Sequence, residues 1–244
     1  MNTLLIDTST RATVLGLDVS GELIDRTMNA ENSHSREILP SIERLVSDAG
    51  IELGDLTGIV FGQGPGSFTG LRIAVGVVQG LGYGLDIPVV PVSSMACLAQ
   101  SQFAQTVDQT DERNHVFVGL SARLDEIYFG AYTFDEGIAH PVTAEGVCDV
   151  DDLPRLVGEQ GQAKWLGVGD AFRLKDRIES ATGIRFSSTE EQTIPLVASL
   201  LRLGQVGFES GSAIAAIDAS PVYLREKVAD KPAQKTAPKP GKKG

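Results

Sequence analysis

The sequence predicts an α/β protein built as two lobes, each a mixed β-sheet flanked by helices. Three observations carry this prediction. Strand patterns open the chain and give way to alternating helix and strand patterns, and the same order of elements restarts near Val116. A length of 244 residues with 42% hydrophobic content is enough to bury a sizeable core. Aromatic residues are only 6%, so that core is expected to come mainly from Leu, Ile, Val and Ala.

Leu4–Ile6 and Val14–Leu17 read as two strands around a polar turn, Asp7 to Thr13, with a third strand near Leu23–Met28. A helix follows over about Ser33–Ala49, with Ile38, Leu39, Ile42, Leu45 and Val46 as its apolar face and Pro40 bending its early turns. Gly58–Gly62 is a short apolar strand, and the loop Gln63–Thr69 leads into a helix over about Gly70–Leu85. Ile87–Val92 is again a strand, followed by a helix from Ser93 or Ser94 towards Gln105. After a junction near Gln105–Arg113, Val116–Leu120 and Ile127–Phe134 start a second meander. A helix around Asp151–Glu159, a strand at Trp165–Val168 and a helix at Pro195–Gly207 complete it, while residues 135–190 otherwise give little pattern.

Composition excludes several classes. No run of about 18 apolar residues is present, and Asp7 follows the first short apolar run with no basic residue before it, so neither a membrane span nor a signal peptide is expected. Cys97 and Cys148 form no redox or disulfide pattern, which points to a reducing, cytoplasmic setting. The net charge of −11 is uneven: residues 227–244 hold six lysines and one aspartate (+5), and the rest of the chain has 15 basic and 31 acidic residues (−16). Such a body repels phosphate backbones. The Lys/Pro-rich tail is expected to be disordered, either as a solubilising end or in contact with RNA.

The most specific stretch is Gly64-Pro65-Gly66-Ser67-Phe68-Thr69-Gly70-Leu71-Arg72. Amides before a helix can bind an anion, which makes Gly64, Gly66, Ser67 and Thr69, with Asp7 nearby, a candidate phosphate loop. The other reading is that the glycines only permit tight turning, since no Walker lysine is present and the dinucleotide spacing fails. In the next helix Gly76, Gly80 and Gly84 recur every four residues with Arg72 one turn ahead, flanked by Ile73, Val77 and Leu81. A glycine costs a helix interior up to about 1 kcal/mol, so three on one face imply close approach of another backbone, from the protein's own sheet or from a partner. His34, His115 and His140 have no metal-ligand spacing. No catalytic or metal-binding residue is assigned.

Leu5-Ile6-Asp7-Thr8-Ser9, the run His34–Pro40, the loop and helix start Gly64–Ile73, Ile87–Ser94 and Pro221–Arg225 resemble the bacterial TsaB (YeaZ) family, with the match strongest over residues 1–105. The resemblance implies an actin-like, ribonuclease H-like pair of lobes: residues 1–105, rejoined by 208–226, and residues 106–207. It implies a non-catalytic subunit in the making of threonylcarbamoyladenosine on transfer RNA. Its expected partners are the catalytic transferase subunit, TsaD, an ATPase subunit, TsaE, and a second copy of itself in their absence. ATP and metal are expected on those partners, and tRNA is met through the complex. The metal-binding histidines of the catalytic relative fall on Ser94 and Leu98 here. Partner contact is expected at Arg72, Ile73, Gly76, Val77 and Gly80, with His34 and Ile38 beside them. Ser121 stands where the family often has aspartate. An independent ATP-dependent phosphotransferase or metal-dependent peptidase of the same fold is the alternative.

Overall fold

A computed structural model describes residues 1–29, 34–105, 114–156 and 164–224. The chain opens with β1 (Asn2–Asp7), β2 (Ala12–Val19), β3 (Glu22–Asp25) and the short β4 (Met28–Asn29). Then come α1 (His34–Asp48), β5 (Gly58–Gly64), α2 (Phe68–Leu85), β6 (Val89–Ser93) and α3 (Ser94–Ala104). The second half contains β7 (Asn114–Arg123), β8 (Glu126–Asp135), β9 (Ile138–Pro141), β10 (Gly146–Asp149), β11 (Lys164–Val168), α4 (Lys175–Thr182) and β12 (Phe186–Glu190). Helix α5 (Val197–Glu209) follows.

The two sheets have one plan. The first runs β3-β2-β1-β5-β6 and the second β10-β8-β7-β11-β12. In each, the central strand pairs antiparallel with the hairpin strand that follows it and parallel with the strand on its other side. The edge strand beyond is parallel too. The twice-used order of elements is thus a twice-used topology.

Alternation along β1 sorts the layers. Leu4 and Ile6 face α1 and α2 with Ile38, Ile42, Leu45, Ala74 and Val78, while Leu5 faces Cys97 of α3 and Val197 and Leu200 of α5. Helix α3 is shared, because Met95, Leu98 and Ala99 on its other side pack on Val116, Val118 and Val168 of the second sheet. The far face of that sheet is closed by Ile178 of α4 and by Phe117, Phe129, Trp165, Phe172 and Phe186. The core is mainly aliphatic, as expected, and this second-lobe cluster adds five aromatic side chains to its Ile, Leu, Val and Ala. Glu145 clamps the lobes together: one carboxylate oxygen accepts both Ser93 Oγ and Tyr132 Oη at 2.5 Å. Burial and the Glu145 charge push the Tyr132 phenol up, so it stays a donor.

Two expectations are corrected. The helix expected from Asp151 is only a 3₁₀ turn, Val150–Asp152; Pro154 holds Leu153 extended and stops it, and residues 157–159 lie outside the described part. Helix α5 packs on β2, β5 and β6 of the first sheet and on α3, with a smaller contact to β9. Leu39, placed on the apolar face of α1, is 48% exposed. The junction at 106–113 and the tail at 227–244 lie outside the described residues.

Candidate functional site

The glycine-rich loop packs on the first turn of the chain residue by residue. A Cβ on Gly62 would lie 2.0 Å from Asp7 Oδ2, one on Gly66 would lie 2.4 Å from the Ser9 carbonyl oxygen, and one on Gly70 would lie 1.9 Å from the Thr8 carbonyl oxygen. Only glycine permits these approaches. The loop's polar groups are turned inward as well. Ser67 N–H donates to Ser9 O (2.7 Å), Thr8 Oγ1 donates to Gly70 O (2.6 Å), and Gly64 N–H donates to Ser94 Oγ (3.2 Å). Ser94 Oγ in turn donates to Asp7 Oδ2 (2.9 Å), while Asp7 Oδ1 accepts Ser9 N–H at 2.6 Å. Ser67 Oγ caps α2 by accepting Gly70 N–H.

The amides of Gly64, Ser67 and Gly70 are already given to the protein, and Asp7 is 1% exposed. Gly64 and Gly66 pack closely on their neighbours, while Ser67 and Thr69 are exposed at the start of α2. Burial raises the Asp7 carboxyl above its ordinary range, opposed by its hydrogen bonds from Ser9 and Ser94. The position to which the resemblance assigns a metal ligand, Ser94, is instead the link between Asp7 and the loop. The other, Leu98, is buried against the second sheet.

Helix α2 has two faces. Leu71, Ala74, Val75, Val78 and Gly82 are buried, and Ile73 and Val77 are half-buried along the border. Arg72, Gly76, Gly80 and Gly84 are exposed, and a Cβ on any of the three glycines would meet nothing within 4 Å. The protein's own sheet is not what approaches the stripe. The glycine that the interior requires is Gly82, whose added Cβ would lie 2.6 Å from Ala216 Cβ. Ile38, at 1% exposure, belongs to the core that holds α1 beside α2, and Leu39 takes the outer position. His34 opens α1, but its side chain lies outside the described residues.

Two aromatic residues extend this face. The Arg72 guanidinium lies 3.7 Å from the Phe68 ring centroid, its Nε donates to Tyr223 Oη at 3.1 Å, and the Phe68 and Tyr223 rings are 5.5 Å apart. Phe68 and Tyr223 are 48% and 46% exposed. A cleft of about 370 Å³ beside them is lined by Leu71, Arg123, Tyr128, Val222 and Leu224 among others. Spacing within α2 could have shown Phe68, one turn before Arg72; nothing in the sequence places Tyr223 there. A second, more polar cleft of about 720 Å³ runs between the lobes, with Ser9, Arg11 and Ser67 on one side and Ser121, Asp170 and Glu191 on the other. Ser121 N–H donates to Asp170 Oδ1 at 2.7 Å, so a carboxylate does stand beside position 121, supplied by another strand end.

Comparison with known proteins matches this architecture. A family model described as TsaD, tRNA N6-adenosine threonylcarbamoyltransferase, matches residues 28–229. The tRNA threonylcarbamoyladenosine biosynthesis protein TsaB of Escherichia coli (strain K12) is 31% identical over 94% of this chain and 96% of its own. That of Haemophilus influenzae is 30% identical over 92% and 94%. The chain belongs to the TsaB (YeaZ) family. A crystal structure from Pseudomonas aeruginosa, described as similar to peptidase YEAZ, superposes with a TM-score of 0.82 at 32% identity over 92% of this chain and 99% of that one. With the TsaB fold thus shared along the chain, the exposed α2 stripe and the Arg72–Phe68–Tyr223 cluster sit on a scaffold common to the family. No helix among the described residues is long and apolar enough to cross a membrane.

Proposed function

We propose that this chain is a non-catalytic scaffold subunit in threonylcarbamoyladenosine biosynthesis on tRNA. Its α1–α2 face holds and activates the catalytic transferase subunit, TsaD; an ATPase subunit, TsaE, joins the assembly, and a second copy of the chain occupies the face when TsaD is absent. ATP and metal belong to the partner subunits, tRNA is met mainly through the complex, and the setting is the cytoplasm. One observation carries this reading: three helix glycines, each unfavourable to α2 by itself, line a face over which the described residues place nothing. Small residues let a second backbone approach closely, and the adjoining Arg72, Phe68 and Tyr223 are the residue types that anchor protein interfaces. An independent phosphotransferase or peptidase would need Asp7 to reach a ligand, and Asp7 is buried beneath the glycine loop. The test is co-elution with the transferase subunit on size exclusion. Gly76→Arg or Gly80→Arg should abolish the complex while leaving the chain folded, and an undiminished complex would refute the assignment.

A further inference from the structure

The turn between β7 and β8 holds a residue that neither the backbone nor the core accounts for. Arg123 pairs with Glu126 across the two strands, so Leu124 and Asp125 form a two-residue hairpin loop. Leu124 takes φ 49°, and Asp125 does not share the positive φ. At that first loop position glycine is the preferred residue. The other described non-glycine residues with positive φ, Ser20, Asp86 and Glu136, are all polar or charged. The leucine side chain gives nothing back to the core, because Leu124 is 95% exposed, more than any other large apolar residue described. The tip is nonetheless fixed. Val150 N–H donates to Asp125 O at 3.0 Å, and the Asp125 carboxylate pairs with Arg177 Nη1 of α4 at 3.1 Å. Arg177 also pairs with Asp149 and Asp151, which ties the tip to the end of β10.

We infer that Leu124 is a preset knob that enters an apolar hollow of the transferase subunit when that subunit docks on α2. This rests on the scaffold reading above. Place and charge select the partner. Arg123, the residue before the knob, lines the same cleft as Phe68, Leu71 and Tyr223 at the start of α2, so the hairpin tip borders the docking face across that cleft. Arg123 pairs with no carboxylate among the described residues, whereas Asp125 is already matched by Arg177. The hollow that fits is therefore apolar with a carboxylate on its rim. A second copy of this chain fits less well. Its apolar cleft of about 370 Å³ carries Arg123 as the one charged lining residue, so two arginines would meet. Because hydrogen bonding and the Arg177 pairs already hold the tip, little conformational freedom remains to be lost when the leucine is buried, and the gain from its apolar area is kept.

Leu124→Asn is the test, with Leu124→Met as the conservative variant. Asparagine accepts the left-handed backbone and removes the apolar side chain, and methionine keeps its bulk. Titration calorimetry with the transferase subunit should show a loss of affinity of about tenfold or more for Leu124→Asn, the scale of one leucine withheld from burial. Leu124→Met should lose no more than about threefold, since an apolar swap of equal bulk is tolerated. Thermal melting of the isolated chain should give Leu124→Asn a Tm no lower than the parent's, because the backbone is relieved and no core contact is lost. Parental affinity in Leu124→Asn would overturn the inference. An equal loss in both variants would overturn it too, since apolar bulk would then not be what the partner reads. Gly80→Arg in the same titration reports on α2 separately. If it abolishes binding while Leu124→Asn leaves binding intact, the docking face stands and the knob falls; if only Leu124→Asn weakens binding, the contact at the tip stands and the α2 reading falls.

Discussion

Alanine at Gly80 and alanine at Gly82 should move stability in opposite directions. Both residues lie inside α2, so both substitutions gain the helix-propensity difference of about 1 kcal/mol. At Gly80 nothing opposes that gain, because the new methyl group would meet no atom within 4 Å. For a chain of this size, about 1 kcal/mol raises Tm by about 2–4 °C. At Gly82 the methyl group would sit 2.6 Å from Ala216 Cβ and 3.1 Å from Val89 Cγ1. Ala216 has no longer side chain to swing aside, so backbone must move, and overpacking of this kind costs about 1–3 kcal/mol. The cost outweighs the propensity gain, leaving Gly82→Ala less stable by about 1 kcal/mol. Calorimetric melting at a concentration low enough to keep the chain monomeric measures both. The docking reading requires more of the same pair: Gly80→Ala should weaken transferase binding although it stabilises the chain, and Gly82→Ala should weaken binding no more than its loss of folded fraction dictates. A Gly80→Ala chain that is less stable than the parent, or a Gly82→Ala chain that is more stable, would refute the assignment of inner and outer faces.

Ser94→Ala should cost about 1–3 kcal/mol in urea unfolding, because Gly64 N–H and Asp7 Oδ2 each lose their buried partner. Asp7→Asn isolates a pH effect. Burial raises the Asp7 carboxyl above 3.8, so the folded state holds its proton more tightly than the unfolded state; this favourable contribution is complete below 3.8 and disappears as pH rises through the folded value. The stability of the parent relative to Asp7→Asn should therefore decline from about pH 4 upward in a urea series, and a rise would contradict the burial argument. Arg72→Ala should change folding stability by no more than about 1 kcal/mol, the range of an exposed cation–π contact, yet weaken transferase docking about thirty-fold by titration calorimetry.

The first lobe was legible because its strands alternate and its helices are capped. Leu4, Leu5 and Ile6 divide between two layers as the period of two requires, and Ser67 and Ser93 cap α2 and α3 near the places where the pattern put their starts. The second lobe was obscured by short edge strands. β9 and β10 have four residues each, too few for a period to repeat, and β12 reads Phe-Ser-Ser-Thr-Glu because only Phe186 turns inward. Ile38 and Leu39 show a different limit. Both are apolar and adjacent, and composition cannot tell which of the two faces the core; the packing of α1 on the sheet decides it. Tyr223 joins Arg72 across 151 positions of sequence, a separation at which no local pattern reports contact.

Glycine has two uses in this fold, and separating them connects the buried site to the exposed one. Gly62, Gly66 and Gly70 let the loop close over Asp7, Thr8 and Ser9, so that the turn and the start of α2 form one hydrogen-bonded unit. Ser94 ties that unit to α3, the helix shared by both sheets. The consequence is mechanical: α2 cannot shift at its N-terminal end without breaking buried bonds. Its outer glycines and Arg72 are thereby presented in a fixed position, which lowers the ordering cost of docking a partner backbone. On this argument Ser94→Ala should slow transferase association as well as lower stability, and a stopped-flow measurement that found association unchanged in the folded variant would separate the two halves of the molecule's design.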